Sequence, residues 1–506
     1  MRLASYRCAL RVLLACGAAP CALAQDPAPV GPEPATEAAP EITQGRDLAD
    51  VQAPPADGAA QETAGGVPVE GPPEPDGEQA GDGAEEEELS GLSESDLQPE
   101  ELRPPTQDPA LVGPPPPPDP WYERWPGGAR LEYDVVRDSK KQATFIGTLN
   151  GLLQLDSVHL PETTYDSALN ESLEVRRARL VARGAYTGWL QASYMLQFGY
   201  DYPNFQVYDA FVAFHDDDRL RTLQVGYFRM PMTLSGRESG RDLIMMERPA
   251  TINAFWPNRR LGAQVAYATT GRGVTVRGGV FTVGLDDGEN NDSESPLQAS
   301  GRITSLAWHT GSVRAPDSLV QVGASALFQI SGSSDFRYSA RPESRLVPTI
   351  VDTGEIDGSG AFTVGGEVAW RSGPVSLTAE TLHTFVDATR TDLRFGGAYV
   401  TGSWILTGEK RGYDPNLATW SRLRPEYPLR QTDDWIGSLE ATVHVSTLDL
   451  TDDGVDGGRM DIVGSGLNWY WNPAISFQVN LLHADVDGGP TPGDLTILQG
   501  RLQVVF

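Results

Sequence analysis

Arginine is the residue type with the clearest chemical pattern in this sequence. In LEVRRARLVARGAY (173–186), Arg177, Arg179 and Arg183 are spaced two and four residues apart. Alternate side chains of a β-strand point to the same side, so an extended chain would place these three guanidinium groups on one face. Guanidinium is a permanent cation whose donors match the oxygens of carboxylate and phosphate. The spacing therefore indicates an arrangement that attracts anions along a strand.

A second group of arginines lies in a long connection, RMPMTLSGRESGRDLIMMERPATINAFWPNRR (229–260). Arg237, Arg241 and Arg248 stand there among acidic residues, in a stretch too long for a tight turn. One interpretation is a solvated external loop. The other is a loop folded into a pore, where its charges would narrow the passage and set its ion preference.

Signals for catalysis or metal binding are weak. All three cysteines (Cys8, Cys16 and Cys21) lie before residue 25, so a chain processed there would have no disulfide and no thiolate ligand. The six histidines are scattered without metal-ligand spacing, and no nucleophile elbow or phosphate loop is present. We therefore predict no enzyme activity, no catalytic residue, no cofactor and no metal site.

The elements that must carry these arginines alternate strictly in polarity. In WLQASYMLQFGYDY (189–202), Tyr194 and Leu196 share one face, while Gln191 and Gln197 share the other. A soluble β-protein would bury the apolar face in a core. An outer-membrane barrel would turn that face to lipid and the polar face to a wet lumen.

The arginine strand gives an energetic argument within the membrane interpretation. Turning one arginine toward mid-bilayer lipid costs about 2–4 kcal/mol. Three of them would cost on the order of 6–12 kcal/mol, which is comparable to the stability of a whole domain. In a barrel, Arg177, Arg179 and Arg183 must therefore face water in the interior.

Sixteen strand-like runs follow residue 120, and many exceed the usual strand length of about 5–6 residues. A tilted strand needs about 9–11 residues to cross a bilayer. The runs are 144–155, 173–186, 188–202, 206–215, 220–229, 261–270, 273–284, 299–310, 318–330, 360–371, 374–385, 394–408, 434–446, 459–472, 474–486 and 494–506. We predict an all-β fold, a transmembrane antiparallel β-barrel of sixteen strands, within residues 121–506.

The connections support this fold, because short and long ones interleave as barrels with short periplasmic turns and long external loops require. The long connections are 156–172, 230–260, 285–298 and 331–359, and short ones fall at 187–188, 372–374 and 472–473. The stretch 409–433 is an exception, since it is long but falls on the periplasmic side. It would either hang below the barrel or fold back into its mouth.

The last strand, DLTILQGRLQVVF, combines both signals. Leu498, Leu502 and Phe506 share its apolar face, and Arg501 lies on the polar face as a seventh candidate for the anion path. A terminal phenylalanine on an amphipathic strand is what the outer-membrane assembly machinery commonly reads. Phe506 is thus a candidate contact with that partner.

The N-terminal residues have separate roles. Residues 1–24 carry three arginines, an apolar run and the small residues Ala22-Leu23-Ala24, which predicts a secretory signal peptide. A lipoprotein cleavage site at Cys16 is an alternative. Residues 25–120 hold 23 acidic residues, two arginines and 21 of the 39 prolines, which predicts a disordered acidic Pro-rich segment. It would act as a spacer or a docking site, and its charge argues against nucleic acid as a partner.

Four stretches, in order along the chain, resemble the phosphate- and polyphosphate-selective porins of the O and P type. EVRRARL (174–180) is similar to the second-strand arginine motif of that family, and GYFRMPMTLSG with MMERP and NRRLG (226–262) is similar to its third loop. YVTGSWILTGEKRGYDP (399–415) resembles its LTGE-type signature, and GLNWYWNP (466–473) its penultimate hairpin.

The resemblance implies a trimeric sixteen-stranded porin of the bacterial outer membrane, with inward-folded loops and arginines that guide anions. Carried over by motif, the strand candidates are Arg177, Arg179 and Arg183, and the loop candidates are Arg237, Arg241 and Arg248. Two features depart from the family. No lysine occurs between Lys141 and Lys410, so a lysine-rich phosphate trap is not evident, and His444 stands where the family often has arginine.

The function predicted from these observations is passive diffusion of small anions, with phosphate or polyphosphate as the family's solutes. The residues after 120 carry a net charge of −12, which gives no global attraction for anions. A general or cation-tolerant porin of the same fold is therefore the alternative. A soluble secreted β-protein, such as an adhesin or a carbohydrate binder, is a more distant one. The predicted partners are small anionic solutes, the lipid bilayer and two further copies in a homotrimer.

Overall fold

The described part of the chain contains the barrel. The computed structural model describes residues 129–136, 142–165, 172–187, 191–201, 204–216, 221–269, 273–282, 297–313, 315–330, 335–425 and 437–506. The predicted signal peptide (1–24) and the predicted acidic segment (25–120) lie outside these residues, as does most of the predicted external loop 285–298.

Strands dominate the described residues because apolar and polar side chains alternate with a period of two, which suits a sheet that separates two environments. Two short helices, α1 (Leu234–Arg237) and α2 (Ala250–Phe255), are the exceptions among the described residues. In chain order the strands are β1 (Ala129–Val136), β2 (Gln142–Thr163), β3 (Ser172–Thr187), β4 (Gln191–Asp201), β5 (Asn204–Asp216), β6 (Arg221–Arg229), β7 (Arg259–Ala268), β8 (Val274–Phe281), β9 (Leu297–Ser312), β10 (Ala315–Ile330), β11 (Asp335–Phe336), β12 (Ser339–Ala340), β13 (Val351–Asp352), β14 (Ile356–Ser372), β15 (Val375–Ala388), β16 (Asp392–Ile405), β17 (Gly412–Asp414), β18 (Thr419–Ser421), β19 (Ser438–Asp452), β20 (Val455–Tyr470), β21 (Ile475–Asp487) and β22 (Gly493–Val505).

Sixteen of these strands form a closed antiparallel ring, so the predicted fold and strand number are confirmed. The ring contains β2–β10, β14–β16 and β19–β22, each paired with its neighbours in sequence. It closes between its first and last strands, where Leu152 lies opposite Val505 and Asp156 opposite Arg501. Closure pairs the first and last strands of the ring with each other, as a β-structure in lipid requires.

Two features at the start of the barrel were not predicted. Strand β2 continues to Thr163, so half of the predicted loop 156–172 is strand. Strand β1 pairs with residues 142–149 of β2, on the same edge that β22 occupies from residue 152 onward. β1 therefore continues the column of β22 and covers an edge of β2 that the stagger of the ring leaves open.

The outer surface is apolar, as the alternation predicts. Among outward-facing side chains, Val443 is 64% exposed, Val463 63% and Leu196 41%, whereas the inward-facing Gln478 and Asn480 are buried. Lipid covers such a surface in a membrane protein, and the exposed valines and leucines need no other partner. Within the described part of the chain, neither helix is long and apolar enough to cross a membrane.

The interior differs from the predicted wet lumen at the end that carries the long loops. There, inward-facing apolar side chains such as Leu382, Leu448, Ile462 and Leu482 are fully buried. They pack against residues of two long connections, 230–258 and 331–355, which we name loop A and loop B. Because these loops bring their own apolar residues inside, the sequence pattern of the strands alone could not show this core.

Candidate functional site

Loop A lies inside the barrel along its wall, which is the second of the two interpretations of the sequence. Its apolar residues anchor it: Met230, Met232, Phe255 and Trp256 are buried in the interior core. Polar contacts fix the backbone between these anchors. The amide of Met246, for example, donates to Asn480 Oδ1 of β21 at 2.9 Å. The charges of loop A are thus held at defined positions inside the ring.

A glutamate from the wall holds the first turn of loop A. The backbone N–H groups of Leu234 and Ser235 donate to the two carboxylate oxygens of Glu380, at 2.7 and 2.8 Å. Tyr399 donates its hydroxyl to the same carboxylate at 2.6 Å. These contacts satisfy two amides that the short helix α1 leaves unpaired at its start.

A second glutamate, from loop B, holds the next turn. Glu343 Oε1 accepts from the amide of Ala250 at 2.9 Å and from the hydroxyl of Ser446 at 2.7 Å. Its other oxygen lies 2.9 Å from His444 Nε2. Glu343 has a φ of 53°, a strained conformation for this residue type that the surrounding contacts stabilise. His444 is thus a buried partner of loop B.

The described part of the exceptional connection, residues 406–425, also folds inward, and we name it segment C. Arg411 is almost fully buried and donates to both carboxylate oxygens of Glu440 on β19. Glu440 also accepts from Tyr470 at 2.9 Å and from Asn468 at 3.0 Å. Of the two predicted positions for this connection, folding back into the barrel is the correct one for the described residues. The predicted residues 426–433 lie outside them.

The tip of segment C is clamped by two arginines from the wall. Arg302 forms a two-pronged ion pair with Glu367, at 2.6 and 2.8 Å, and donates to the carbonyl oxygens of Leu417 and Ala418. Arg277 donates to the carbonyl of Asn416 at 2.7 Å. The accepting carbonyls of Asn416, Leu417 and Ala418 are consecutive, and Ala418 adopts a left-handed backbone conformation with a φ of 51° at this turn.

A cluster of charges spans the closing strands and loop A, and we name it the seam cluster. Four arginines share three carboxylates within it. Glu247 of loop A accepts from Arg501 at 2.7 Å and from Arg176 at 3.0 Å. Arg501 also forms a two-pronged pair with Asp156 across the seam. The members are Asp156, Arg176, Arg177, Arg179, Asp201, Glu247 and Arg501.

Arg176 belongs to this cluster although strict alternation would turn it toward lipid. The pairing of β2 with β3 shifts by one residue here, because Gln154 lies opposite Arg177 and Leu155 opposite Val175. The bulge leaves Arg176 without a cross-strand partner and turns its side chain inward, beside Arg177. The only sequence signal for the bulge was the cost of exposing an arginine to lipid.

The predicted strand arginines have different environments. Arg177 is buried and donates to Gln154 at 2.7 Å. Arg179 is buried, pairs with Asp201 and lies 3.6 Å from the centre of the Tyr208 ring. Arg501 is buried in the seam cluster, whereas Arg183 is half-buried, with its Nε 3.4 Å from the sulfur of Met195. Arg177, Arg179 and Arg501 are thus held by neighbouring polar groups of the chain.

The predicted loop arginines are less neutralised. Arg248 donates to the carbonyls of Ser235 and Glu238 and lies over the Trp256 ring, and no carboxylate of the described residues contacts its side chain. Arg241 lies 3.3 Å from Asp242. Arg237 has no carboxylate within ion-pair distance among the described residues.

Positive neighbours act on Arg237 more strongly than acidic ones, since Arg277 and Arg302 affect it more than Asp414 and Asp209 do. Burial holds the pKa of Arg237 well below its ordinary value, and the charges of Arg277 and Arg302 lower it further. Arginine nevertheless stays protonated in proteins. An anion beside Arg237 would reduce this repulsion, although Arg302 itself already pairs with Glu367.

Segment C adds a further arginine that the sequence motifs did not single out as a path residue. Nε and Nη2 of Arg422 have no hydrogen-bond partner among the described residues. Burial lowers its pKa, which Asp242 raises and Arg241 lowers in turn. Arg422 therefore lies close to the charged part of loop A.

In the described residues, no group of three or more His, Cys, Asp or Glu is arranged to hold a metal ion.

Comparison with known proteins identifies the family. The model of the phosphate-selective porin O and P family matches residues 148–506, which run from within β2 to β22 and include loop A, loop B and segment C. This chain belongs to that family. The porin therefore works in the outer membrane, as the apolar outer surface of its closed barrel requires.

Individual relatives and solved structures are also similar to this porin. An uncharacterised protein of Caulobacter vibrioides is 30% identical over 355 residues, which cover 67% of this porin and 68% of the relative. Porin O of Pseudomonas aeruginosa is 29% identical over 159 residues, 28% of this porin and 34% of that protein. Among solved structures, the anion-selective porin from Comamonas acidovorans has a TM-score of 0.46 at 12% identity. The match covers 72% of this porin and 100% of that chain.

Proposed function

We propose that this porin conducts small anions by passive diffusion, guided by the arginines of loop A and segment C. The observation that carries the proposal is the shortage of carboxylates around Arg237, Arg248 and Arg422. Each lies inside the ring on an inward-folded connection, and each lacks an ion pair with a carboxylate among the described residues.

The arrangement favours anions for an electrostatic reason. Guanidinium groups in a narrow, partly desolvated passage act through a lower effective dielectric constant than water, so their field is weakly screened. A permeating anion gains attraction at each position, while a cation meets repulsion. Arg177, Arg179, Arg241 and Arg501 would contribute less, because each pairs with a resident carboxylate, and Arg183 would act from the same inner face of β3 as Arg177 and Arg179.

Phosphate is the finer part of the proposal. A bidentate donor fork matches phosphate oxygens, and several guanidinium groups lie within reach of one another. Porin O of Pseudomonas aeruginosa and the family description support this solute class by name. The alternative is a general porin that admits cations too, which the overall acidity of the barrel favours.

Reversal potentials across a salt gradient in planar bilayers test the proposal. We expect chloride to be more permeant than potassium, and phosphate in place of chloride to retain that sign. Replacing Arg237, Arg241 and Arg248 with alanine should lower the anion-to-cation permeability ratio by a factor of about three or more, because like charges concentrate counter-ions by factors of about 10 or more.

A matched control is Arg459→Ala. Arg459 is exposed on the outer surface and pairs with Asp461, so its loss changes the net charge without changing the interior. Its permeability ratio should equal that of the parent porin. Cation selectivity of the parent porin would reject the proposal, and an unchanged ratio in the triple variant would show that loop A does not set the preference.

Assembly in the cell is a second, separate part of the proposal. We propose export by the N-terminal signal peptide, recognition of Phe506 by the outer-membrane assembly machinery and association into a homotrimer, with residues 25–120 as a spacer. Phe506 is 60% exposed on the outer surface, where a partner can reach it. Crosslinking of the detergent-extracted porin, read on a gel, distinguishes a trimer from a monomer.

A further inference from the structure

One methionine of the barrel wall differs in its surroundings from the other methionines of the described residues. Met195 lies on the inner face of β4, directly opposite Arg183 of β3, and both side chains are half-buried. The other five described methionines are at most 6% exposed, and they lie in loop A or on β20: Met230, Met232, Met245, Met246 and Met460. A small molecule in the lumen can therefore reach the sulfur of Met195, while the other five sulfurs are enclosed.

The accessible thioether is open to oxidation by a peroxide. All three cysteines lie before residue 25, so no thiol of the described residues competes for the oxidant. A peroxide transfers one oxygen atom to the thioether. The O–O bond breaks, an S–O bond forms, the sulfur loses two electrons and hydrogen peroxide is reduced to water. The product is a methionine sulfoxide, whose polar oxygen replaces a sulfur that accepts hydrogen bonds only weakly.

Arg183 is placed to bind that oxygen. Its Nε lies 3.4 Å from the sulfur of Met195. An oxygen atom on the sulfur would accept a charge-assisted hydrogen bond from the same guanidinium, and such bonds are about twice as strong as those between neutral groups. The methionine side chain has three rotatable bonds, so the oxygen can reach the nitrogen without movement of the backbone.

The pair formed by Met195 and Arg183 lies close to the charged part of loop A. The charges of Arg241 and Asp242 in loop A act on Arg183, as does the charge of Asp209 on β5. On the proposed path, an anion that passes loop A therefore comes under the influence of Arg183. A sulfoxide oxygen beside Nε would compete with that anion for the guanidinium.

We propose that Met195 is a reversible oxidation site, and that its conversion to the sulfoxide by a peroxide lowers anion conduction. The effect on conduction rests on the proposed function, whereas the preferential oxidation of Met195 does not. Oxidation at this position leaves the fold intact, because the new polar group lies on the polar inner face. At the five enclosed methionines the same group would enter the buried interior, where a polar group without a partner lowers stability.

The rates of oxidation of the individual methionines test the site itself. The detergent-extracted porin is treated with dilute hydrogen peroxide, and peptide mass spectrometry follows each methionine over time. Met195 should be oxidised at least about tenfold faster than any of the five enclosed methionines, because their oxidation requires local opening of the interior. Equal rates at all six positions would overturn the proposal.

Chloride conductance in planar bilayers, recorded before and after peroxide treatment, tests the effect. Conductance should fall by about twofold or more, since a hydrogen bond of ordinary strength then competes with the permeating anion. Met195→Leu is the matched control, because leucine has a similar volume and no oxidisable sulfur, and its conductance should not respond to peroxide. Methionine sulfoxide reductase with a dithiol should restore the conductance of the oxidised parent porin, as the oxygen leaves in water and the dithiol becomes a disulfide.

Two further variants show whether Arg183 transmits the effect. Met195→Gln places an amide oxygen beside Arg183 and should lower the conductance without any peroxide. In Arg183→Gln, Met195 should still be oxidised, but most of the conductance change should be lost. Unchanged conductance after complete oxidation of Met195, or an equal response in Met195→Leu, would reject the effect on conduction.

Failure of the proposed function is recognised separately, by a reversal potential that shows cation selectivity in the untreated porin. Faster oxidation of Met195 would then still support the modification site, and equal rates would still reject it.

Discussion

Glu238 is a buried acid in the middle of the charged part of loop A. Its carboxylate Oε1 has no hydrogen-bond partner among the described residues. The pKa of Glu238 is raised to about 8, mainly by burial and also by the neighbouring Glu380, although Arg411 and Arg248 act to lower it. Near neutral pH this side chain is therefore mostly uncharged, although two arginines donate to the backbone carbonyl of the same residue.

The anion preference of the porin should consequently fall as the pH rises from about 7 to 9, across the titration of Glu238. Above its pKa the carboxylate ionises, which adds one negative charge beside Arg248 and Arg411. The reversal potential in a fixed salt gradient, measured at both pH values, reports the change. The Glu238→Gln variant should show, at both pH values, the anion-to-cation permeability ratio that the parent porin has while Glu238 is uncharged.

Two other acids of the inward loops should not contribute in that range. Although burial acts in the opposite direction, the arginines of the seam cluster hold the pKa of Glu247 well below its ordinary value. Hydrogen bonds and the charge of His444 likewise lower that of Glu343. Both are ionised throughout, so a glutamine variant of Glu238 that keeps the full pH response would assign the titration to another group.

At the scale of elements, loop A and segment C are held by buried ion pairs as well as by apolar packing. Segment C illustrates this, since Arg411 and Glu440 pair with almost no exposure. Such a pair adds little stability compared with an apolar replacement, but removing one partner costs about 3–5 kcal/mol because the other charge stays buried and unpaired. The pairs therefore fix where each connection lies.

Glu440→Gln should loosen segment C and widen the passage. Arg411 would lose its only strong counter-charge, so the segment should leave its position for part of the time. We expect a larger mean single-channel conductance and more current noise in planar bilayers. Asp317→Asn is the matched control, because Asp317 of β10 contacts Lys410 of segment C at 2.8 Å in an exposed pair that contributes only about 0–1 kcal/mol. A quiet, unchanged channel in Glu440→Gln would mean that apolar contacts hold segment C.

The strands of this porin could be predicted from its sequence, but many contacts between them could not. The strands were predictable because their two faces meet different environments, and alternation records that difference residue by residue. The partners of the arginines were not, since Asp156 and Arg501 are separated by 345 residues and meet only when the ring closes. The bulge at Arg176 and the apolar core under loops A and B likewise depend on contacts between distant segments.

At the scale of the whole molecule, several structural features meet at the seam where the ring closes. It joins the first and last strands of the ring, carries the seam cluster on its inner side and ends at the C-terminus on its outer side. Gly151 and Phe506 exchange two backbone hydrogen bonds there, at 2.7 and 3.1 Å. The Phe506 ring covers Gly151 so closely that a Cβ on the glycine would lie 2.0 Å from a ring carbon.

This contact separates two possible roles of the terminal phenylalanine. If Phe506 is an assembly signal, it acts before the barrel closes, and the covering of Gly151 is incidental. Phe506→Ala should then lower the amount of heat-modifiable porin in the outer-membrane fraction. Gly151→Ala displaces the ring only in the closed barrel, so it should leave that amount near the parent level.

The opposite result identifies a structural role. If the ring stabilises the seam, Gly151→Ala should reduce the folded porin about as much as Phe506→Ala does, and both should unfold at a lower temperature after refolding in detergent without any assembly machinery. If the phenylalanine is a signal, Phe506→Ala refolded in detergent should instead give a barrel with the conductance of the parent porin. A loss confined to cells therefore assigns Phe506 to recognition, because the purified chain closes the same seam with the same two backbone bonds.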